Sequence, residues 1–215
     1  MFVQNKLTGK MKKYLLIAVM VISSFMAAGC GNRNVSGDKQ EAETRGDGKL
    51  HEFNVNEDFD VNAFNWFDDA LLLCAGDHSR SNAMTIGWGG IGTLWRAHNV
   101  VTVYVARARY TKEFMDNYDY FTVMSFSDPE VLRYMGRYSG RDGDKAAALG
   151  LHTAFTENGT PYYEEADVVL ECRTMYAHEF DPENFRSEMP SRMYEHFPAG
   201  LHTMYIGEVV KALKK

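Results

Sequence analysis

Short apolar runs broken by turn residues dominate the chain from residue 71 onward, and most are too brief to be helices. Leu71-Leu72-Leu73-Cys74-Ala75 is a compact buried run that gives way to the turn-rich Gly76-Asp77-His78-Ser79-Arg80-Ser81. Ala83 to Ile86 predicts the next strand, closed by Gly87. Val101, Val103 and Val105 alternate with Thr102 and Tyr104, the period of two expected of a half-buried strand. Phe121–Met124, Val168–Cys172 and Met204–Val210 read as further strands. The helix signals are short. Thr111 is a good N-cap with Glu113 in the first turn behind it. Ser127-Asp128-Pro129 places Pro at a first helical position, and a third helix covers Asp144 to Leu149 and stops at Gly150. Strands on short connections, with helices as inserts, predict a mainly β chain: an antiparallel barrel with short inserted helices.

The N-terminus follows another pattern. Lys10, Lys12 and Lys13 precede an apolar run from Leu15 to Ala28 that only Ser23 and Ser24 interrupt. A bilayer crossing needs roughly 20 apolar residues, so the run reads instead as a secretory signal peptide. Met11-Lys12-Lys13 looks like a more natural start than Met1. The exit, Ala27-Ala28-Gly29-Cys30, resembles a bacterial lipobox, although Ala27 stands where Leu is usual. The resemblance implies lipid attachment at Cys30 and an exported, membrane-anchored lipoprotein, periplasmic or associated with the outer membrane. A plain signal peptide with an incidental Cys, or a buried N-terminal helix, are the alternatives. Gly31 to Leu50 is rich in polar residues and Gly and has no aromatic residue, the composition of a solvated tether. The expected organisation is a signal peptide over 1–29, a lipid-attached tether over 30–50 and one folded domain over 51–215.

Charge narrows the function classes. Loss of residues 1–29 removes four lysines and no acid, so 23 basic and 29 acidic residues become 19 and 29, a net charge of −10. Such a surface argues against nucleic acid, and a phosphate-bearing ligand would need a local cluster of Arg and Lys. Cys74 and Cys172 each sit in a strand-like run. They could pair in an exported compartment, but the simpler reading is two buried small residues. No Cys or His spacing marks a structural metal, and His78, His98, His152 and His178 read as structural.

Gly87-Trp88-Gly89-Gly90-Ile91-Gly92 satisfies the G-x-G-x-x-G pattern after a strand. A dinucleotide fold would need a crossover helix next, and Thr93 to Asn99 leaves no room for one before the strand at Val100. That reading is rejected. The same stretch, as Asn82-Ala83-Met84-Thr85-Ile86-Gly87-Trp88-Gly89, resembles the strand-and-loop motif of the flavin reductase family in its flavoredoxin-like branch. Further matches follow in family order: Arg109-Tyr110-Thr111, Phe121-Thr122-Val123, Ser139-Gly140-Arg141-Asp142-Gly143-Asp144-Lys145, Glu171-Cys172-Arg173, and His202 followed by Tyr205-Ile206-Gly207-Glu208. Together they run from about Leu71 to Val210. Two departures are visible: Ala199-Gly200-Leu201 precedes His202 where relatives often carry an acid, and Arg107 has no firm counterpart.

The resemblance implies an FMN-binding split β-barrel that forms a homodimer with FMN near the interface. It also fits the chemistry of FMN. Arg109 and the Thr111 hydroxyl suit the phosphate, with Lys145 and the Ser139-Gly140 turn as a second set of donors and Tyr110 and Arg141 beside them. Asn82 and Thr85 suit the pyrimidine edge or the ribityl chain, and Trp88 or Trp95 could pack on the ring. Taken singly these residues read otherwise: an Arg beside a Tyr as a surface charge, a Trp as core, Ser-Gly-Arg-Asp-Gly as a solvated turn, and His202 as an interface or core residue. The expected function is a flavoprotein with flavin reductase-like oxidoreductase activity. The alternatives are an extracytoplasmic FMN electron-transfer protein that uses no nicotinamide, or a flavin-free binding lipoprotein. Scarce reduced nicotinamide outside the inner membrane weighs on the first, and the retained Arg109-Tyr110-Thr111 and Lys145 weigh against the last. No residue pattern names the electron donor or acceptor.

Overall fold

The computed structural model describes residues 47–215. The expected signal peptide, the Ala27–Cys30 box and all but the end of the expected tether lie outside the described residues. The chain builds β1 (His51–Glu52), α1 (Ala63–Trp66), β2 (Leu71–Gly76), β3 (Ser81–Ile86), β4 (Gly89–Leu94), β5 (His98–Ala106), α2 (Thr111–Asn117), β6 (Tyr120–Ser125), α3 (Pro129–Arg137) and α4 (Lys145–Leu149). A small hairpin, β7 (Thr153–Phe155) with β8 (Pro161–Tyr163), precedes β9 (Val168–Glu179), a 3₁₀ turn (Pro182–Asn184), α5 (Glu188–Glu195) and β10 (His202–Lys214). The main sheet is antiparallel in the order β3-β2-β6-β9-β10-β5-β4, with β1 added along β10.

The sheet is rolled around one of two cores. The inner core draws on strands from nearly the whole width of the sheet, including Leu73, Ile86, Val103, Phe121, Leu170 and Tyr205, and is closed by Trp66 of α1, by Phe67 just after it and by Phe114 of α2. The fold is therefore the expected mainly β, split-barrel type with short helices. The hydrogen-bond ladder does not close: among the described residues β3 and β4 remain edges. The second core lies on the outer face, where Leu72, Cys74, Met124 and Val169 meet Val131, Leu132 and Met135 of α3 and Ala146 of α4. These two covers explain the sequence pattern. β2 is buried on both faces and reads as a continuous apolar run, whereas β5 is covered on one face and alternates.

Several expectations need adjustment. Thr111 is the first residue of α2, and the N-cap position is Tyr110, which makes no side-chain cap bond. The Thr111 hydroxyl instead accepts from Asn82 Nδ2 at 2.7 Å. Asp128 and Asp144 do cap α3 and α4, accepting from Glu130 N at 2.9 Å and Ala147 N at 3.0 Å, and α4 ends at Gly150. The Gly-rich stretch is strand β4, hairpinned to β5 through Trp95, Arg96 and Ala97, all with positive φ. Its glycines carry no side-chain periodicity, which is why the sequence does not announce it. Cys74 and Cys172 are both free, and they belong to different cores on opposite faces of the sheet.

Gly207 shows how closely the inner core is packed. A Cβ there would meet the Phe121 ring at 2.6 Å and Cys172 Cβ at 2.8 Å. Gly207→Ala therefore overpacks the centre of the sheet and is expected to lower stability by about 1–3 kcal/mol. A shift in the urea midpoint at constant slope measures it; an unchanged midpoint would mean that this core is loose.

Candidate functional site

Nine of the eleven expected ligand-site residues line one pocket of about 220 Å³: Asn82, Thr85, Arg109, Tyr110, Thr111, Ser139, Gly140, Arg141 and Lys145. Four segments deliver them. The edge strand β3 gives Asn82 and Thr85, and the turn after β5 gives Arg109 and Tyr110. Helix α2 gives Thr111, and the loop from α3 into the first residue of α4 gives Ser139, Gly140, Arg141 and Lys145. The other two expected residues lie elsewhere. Trp88 lies against His202 with ring centres 4.7 Å apart, and Trp95 is exposed at the β4–β5 hairpin tip.

The pocket floor is held by buried polar groups. Asn82 spans it, donating to Thr111. Its other amide atom, Oδ1, lies against Gly140 so closely that a Cβ at Gly140 would collide with it. The Thr85 hydroxyl donates to the Leu132 carbonyl and so ties α3 to the edge strand. Lys145 is buried, and its Nζ donates to the Ala83 carbonyl at 2.6 Å and the Met135 carbonyl at 3.0 Å. This alters the expected role of Lys145. Two of its three hydrogens serve the fold, and one remains for a ligand.

Charge at the rim is partly committed. Arg141 reaches Glu113 at 2.5 Å and lies over the Tyr110 ring at 4.6 Å, while Arg80 approaches the same carboxylate at 3.9 Å. Arg107, the residue without a family counterpart, grips Glu179 with two nitrogens. Arg109 differs: it is exposed and its guanidinium has no hydrogen bond or ion pair among the described residues. Its charge reaches inward. Burial, with help from Arg109, pushes Lys145 down to about 8 although a nearby Cys74 works the other way. Burial and then Arg109 also lower His202, favouring its neutral ring, and Nδ1 shares a 2.8 Å hydrogen bond with the Tyr194 hydroxyl. The cluster is thus an electropositive spot on an acidic protein, with the guanidiniums of Arg109 and of Arg137, which also lines the pocket, free of ion pairs among the described residues and one ammonium short of a partner.

An adjoining polar cavity of about 440 Å³ shares Asn82, Gly140 and Lys145 and extends to Arg80, His78 and Phe155. Sequence reasoning missed Arg80 and the bridging Glu113. Glu113 was legible only as an acid in a first helical turn, because nothing local brings it 33 residues away to Arg80. Among the described residues no group of three His, Cys, Asp or Glu side chains could hold a metal ion.

Comparison with known proteins places the chain in a family. A model of the flavin reductase like domain matches residues 70–214. The chain belongs to the flavin reductase-like family. No curated protein matches it. Among solved structures it is similar to the flavoredoxin of Desulfovibrio vulgaris (Miyazaki F), at 25% identity over 68% of this chain and 69% of that one, with a TM-score of 0.52. The flavoredoxin of Methanosarcina acetivorans is similar at 22% identity over 68% of each chain, TM-score 0.52. So is an FMN-binding domain of a flavin reductases-like enzyme from Shewanella baltica OS155, at 16% identity over 77% of this chain and 76% of that one, TM-score 0.54.

Lys145 gives this flavin reductase-like domain a pH signature. Its folded pKa, near 8, lies below the ordinary 10.5. Between those values the unfolded chain binds the extra proton, so stability rises with pH across that window. Below about 8 both states are charged and the burial penalty is paid in full. Denaturation midpoints of the wild type and Lys145→Met at pH 7 to 10 should therefore diverge, the wild type gaining more as pH rises. Parallel curves would mean that Lys145 is not held in this depressed state.

Proposed function

We propose that the chain is an FMN-binding flavoprotein with flavin reductase-like redox activity, exported and held at a membrane by lipid on Cys30. The observation that carries the cofactor reading is the uncommitted guanidinium of Arg109, set in a small pocket beside Thr111, Asn82 and Lys145. A terminal phosphate supplies what that pocket lacks: negative charge for Arg109 and for the Lys145 ammonium, and an acceptor for the third Lys145 hydrogen. Nothing in the pocket calls for an adenine, which favours FMN over FAD. Family membership supports the same cofactor. FMN, when bound, supplies the electron-transfer chemistry, while the chain's residues bind the phosphate, orient the ring and set its surroundings. Asn82 and Thr85, already tied to Thr111 and Leu132, present a rigid floor to the ribityl or pyrimidine portion. Trp88, whose ring lies on His202, is better placed than Trp95 to flank the flavin ring. A homodimer belongs to the same proposal, on the resemblance alone. An electron carrier that uses no nicotinamide is the second reading, favoured by the signal run and the Gly29-Cys30 exit.

Removal of Arg109 tests the phosphate assignment. A charged hydrogen bond contributes about 1.5–3 kcal/mol, or about ten- to a hundred-fold in affinity. Arg109→Ala should weaken FMN by that factor in a fluorescence titration and leave riboflavin, which lacks the phosphate, nearly unchanged. Lys145→Ala frees two carbonyls and should weaken both ligands. Equal losses of FMN and riboflavin in Arg109→Ala would assign Arg109 to folding, and no loss for either would put it outside the site.

Export makes a separate forecast. Cys30→Ala should accumulate an unlipidated precursor that leaves the membrane fraction. If wild type and variant both fractionate as soluble protein, the anchor is wrong.

A further inference from the structure

A cavity of about 680 Å³ opens where β9, the 3₁₀ turn, α5 and β10 meet. Its size falls in the range of small-molecule sites, roughly 300–1,000 Å³. Rings and thioethers make the wall, among them Trp88, Phe180, Phe185, Tyr194, Met193 and Met204. Phe185 and Tyr194 stack with centres 5.6 Å apart and planes within 6°, and Phe180 meets both edge-on at 6.1 and 6.4 Å. Interlocked rings make a stiff apolar surface, and methionines adapt it to an uneven ligand.

The polar groups around the cavity decide what fits. Glu179 is gripped by Arg107. Asp181 accepts from Glu183 N at 3.0 Å and Asn184 Nδ2 at 3.1 Å. The Tyr194 hydroxyl is shared with His202. Each of these is engaged within the protein, and among the described residues no Lys or Arg lines the cavity. The exposed His178 ring, beside Tyr176 at 6.3 Å, is the imidazole left without a hydrogen-bond partner among the described residues. The geometry points to a binding site for a neutral, planar ring compound, of the phenol or quinone class, with one oxygen that hydrogen-bonds to His178. An anion would meet two carboxylates and no lining cation. A second copy of the chain would need a far broader surface, roughly 800 Å² per partner, than this cup offers.

Position gives the cup a use. Trp88 belongs to its wall and packs on His202, whose ring feels the charge of Arg109 in the phosphate pocket. As the substrate site of the proposed flavoprotein the inference rests on that reading for its chemistry, though not for its binding.

Calorimetric titration of the purified protein with 2-naphthol, and with 2-naphthalenesulfonate as its charged counterpart, tests the cup. The naphthol should bind at one site and the sulfonate at least about tenfold more weakly. His178→Leu should weaken the naphthol by about three- to ten-fold, the worth of one hydrogen bond. Met193→Trp, which fills the cup, should abolish binding, and FMN affinity should survive both changes. If Met193→Trp fails to fold, the exposed His178→Leu carries the test. Absent naphthol binding, equal binding of the sulfonate, or naphthol binding indifferent to both substitutions overturns the proposal. So does a dimer that Met193→Trp splits into monomers, which would make the cup a subunit contact. A protein that binds naphthol but no FMN supports the cup and defeats the flavin reading instead.

Discussion

The ammonium of Lys145, buried between the Ala83 and Met135 carbonyls, pins together three pieces of chain that the outer core also packs against one another. It fastens the start of α4 to the end of α3 and both to the edge strand β3. An edge strand offers unpaired carbonyls and amides that a fold must cover or leave open to association. Here side chains do the covering: Lys145 takes Ala83, Thr85 reaches across to Leu132, and Asn82 reaches Thr111. The ligand pocket is the space between those side chains and the loop that they hold. Burying an ammonium costs stability, and the depressed Lys145 pKa is the mark of that cost. Site and scaffold are therefore the same set of bonds, and the site cannot be altered at Lys145 without loosening α3 and α4.

Charge is divided in a matching way. Glu113 pairs closely with Arg141 and more loosely with Arg80, and Glu179 pairs with Arg107, so three guanidiniums near the pocket have an acidic partner although two carboxylates offset only two of their three charges. Arg109, and Arg137, which also lines the pocket, have no ion pair among the described residues. A net-acidic protein can thus present a local anion site without a broad basic surface, since one or two guanidiniums left over suffice and the partly desolvated ammonium of Lys145 adds to the field.

Much of this was legible along the chain because its cause is local. Leu71–Ala75 is apolar on both faces because both faces are covered, and Val101–Val105 alternates because one is not. Asp128-Pro129 and Asp144…Gly150 mark helices by capping chemistry that acts within a few residues. Nine of the candidate residues that the ordered motifs named line one pocket. What stayed hidden depends on distance or on absent side chains. β4 has three glycines in six residues and so no pattern, the outer half of β9 from Arg173 onward is largely polar, and α5 buries no residue fully. Without those elements the aromatic cup has no visible frame. The Thr111 cap was misread because its hydroxyl had a better-placed donor in Asn82, 29 positions away.

The placement of the two thiols bears on how the chain would mature. Cys74 and Cys172 lie on opposite faces of one sheet, each buried, with burial pushing the Cys74 thiol up to about 12 and Cys172 well above its ordinary value. Neither can form a thiolate readily, and neither can reach the other while the sheet stands. In the unfolded chain no such partition exists, and a cross-link between them would forbid both cores at once. Under the proposed export to an oxidising compartment, folding would race against covalent error: once β2, β6 and β9 are paired, oxidation has nothing left to join.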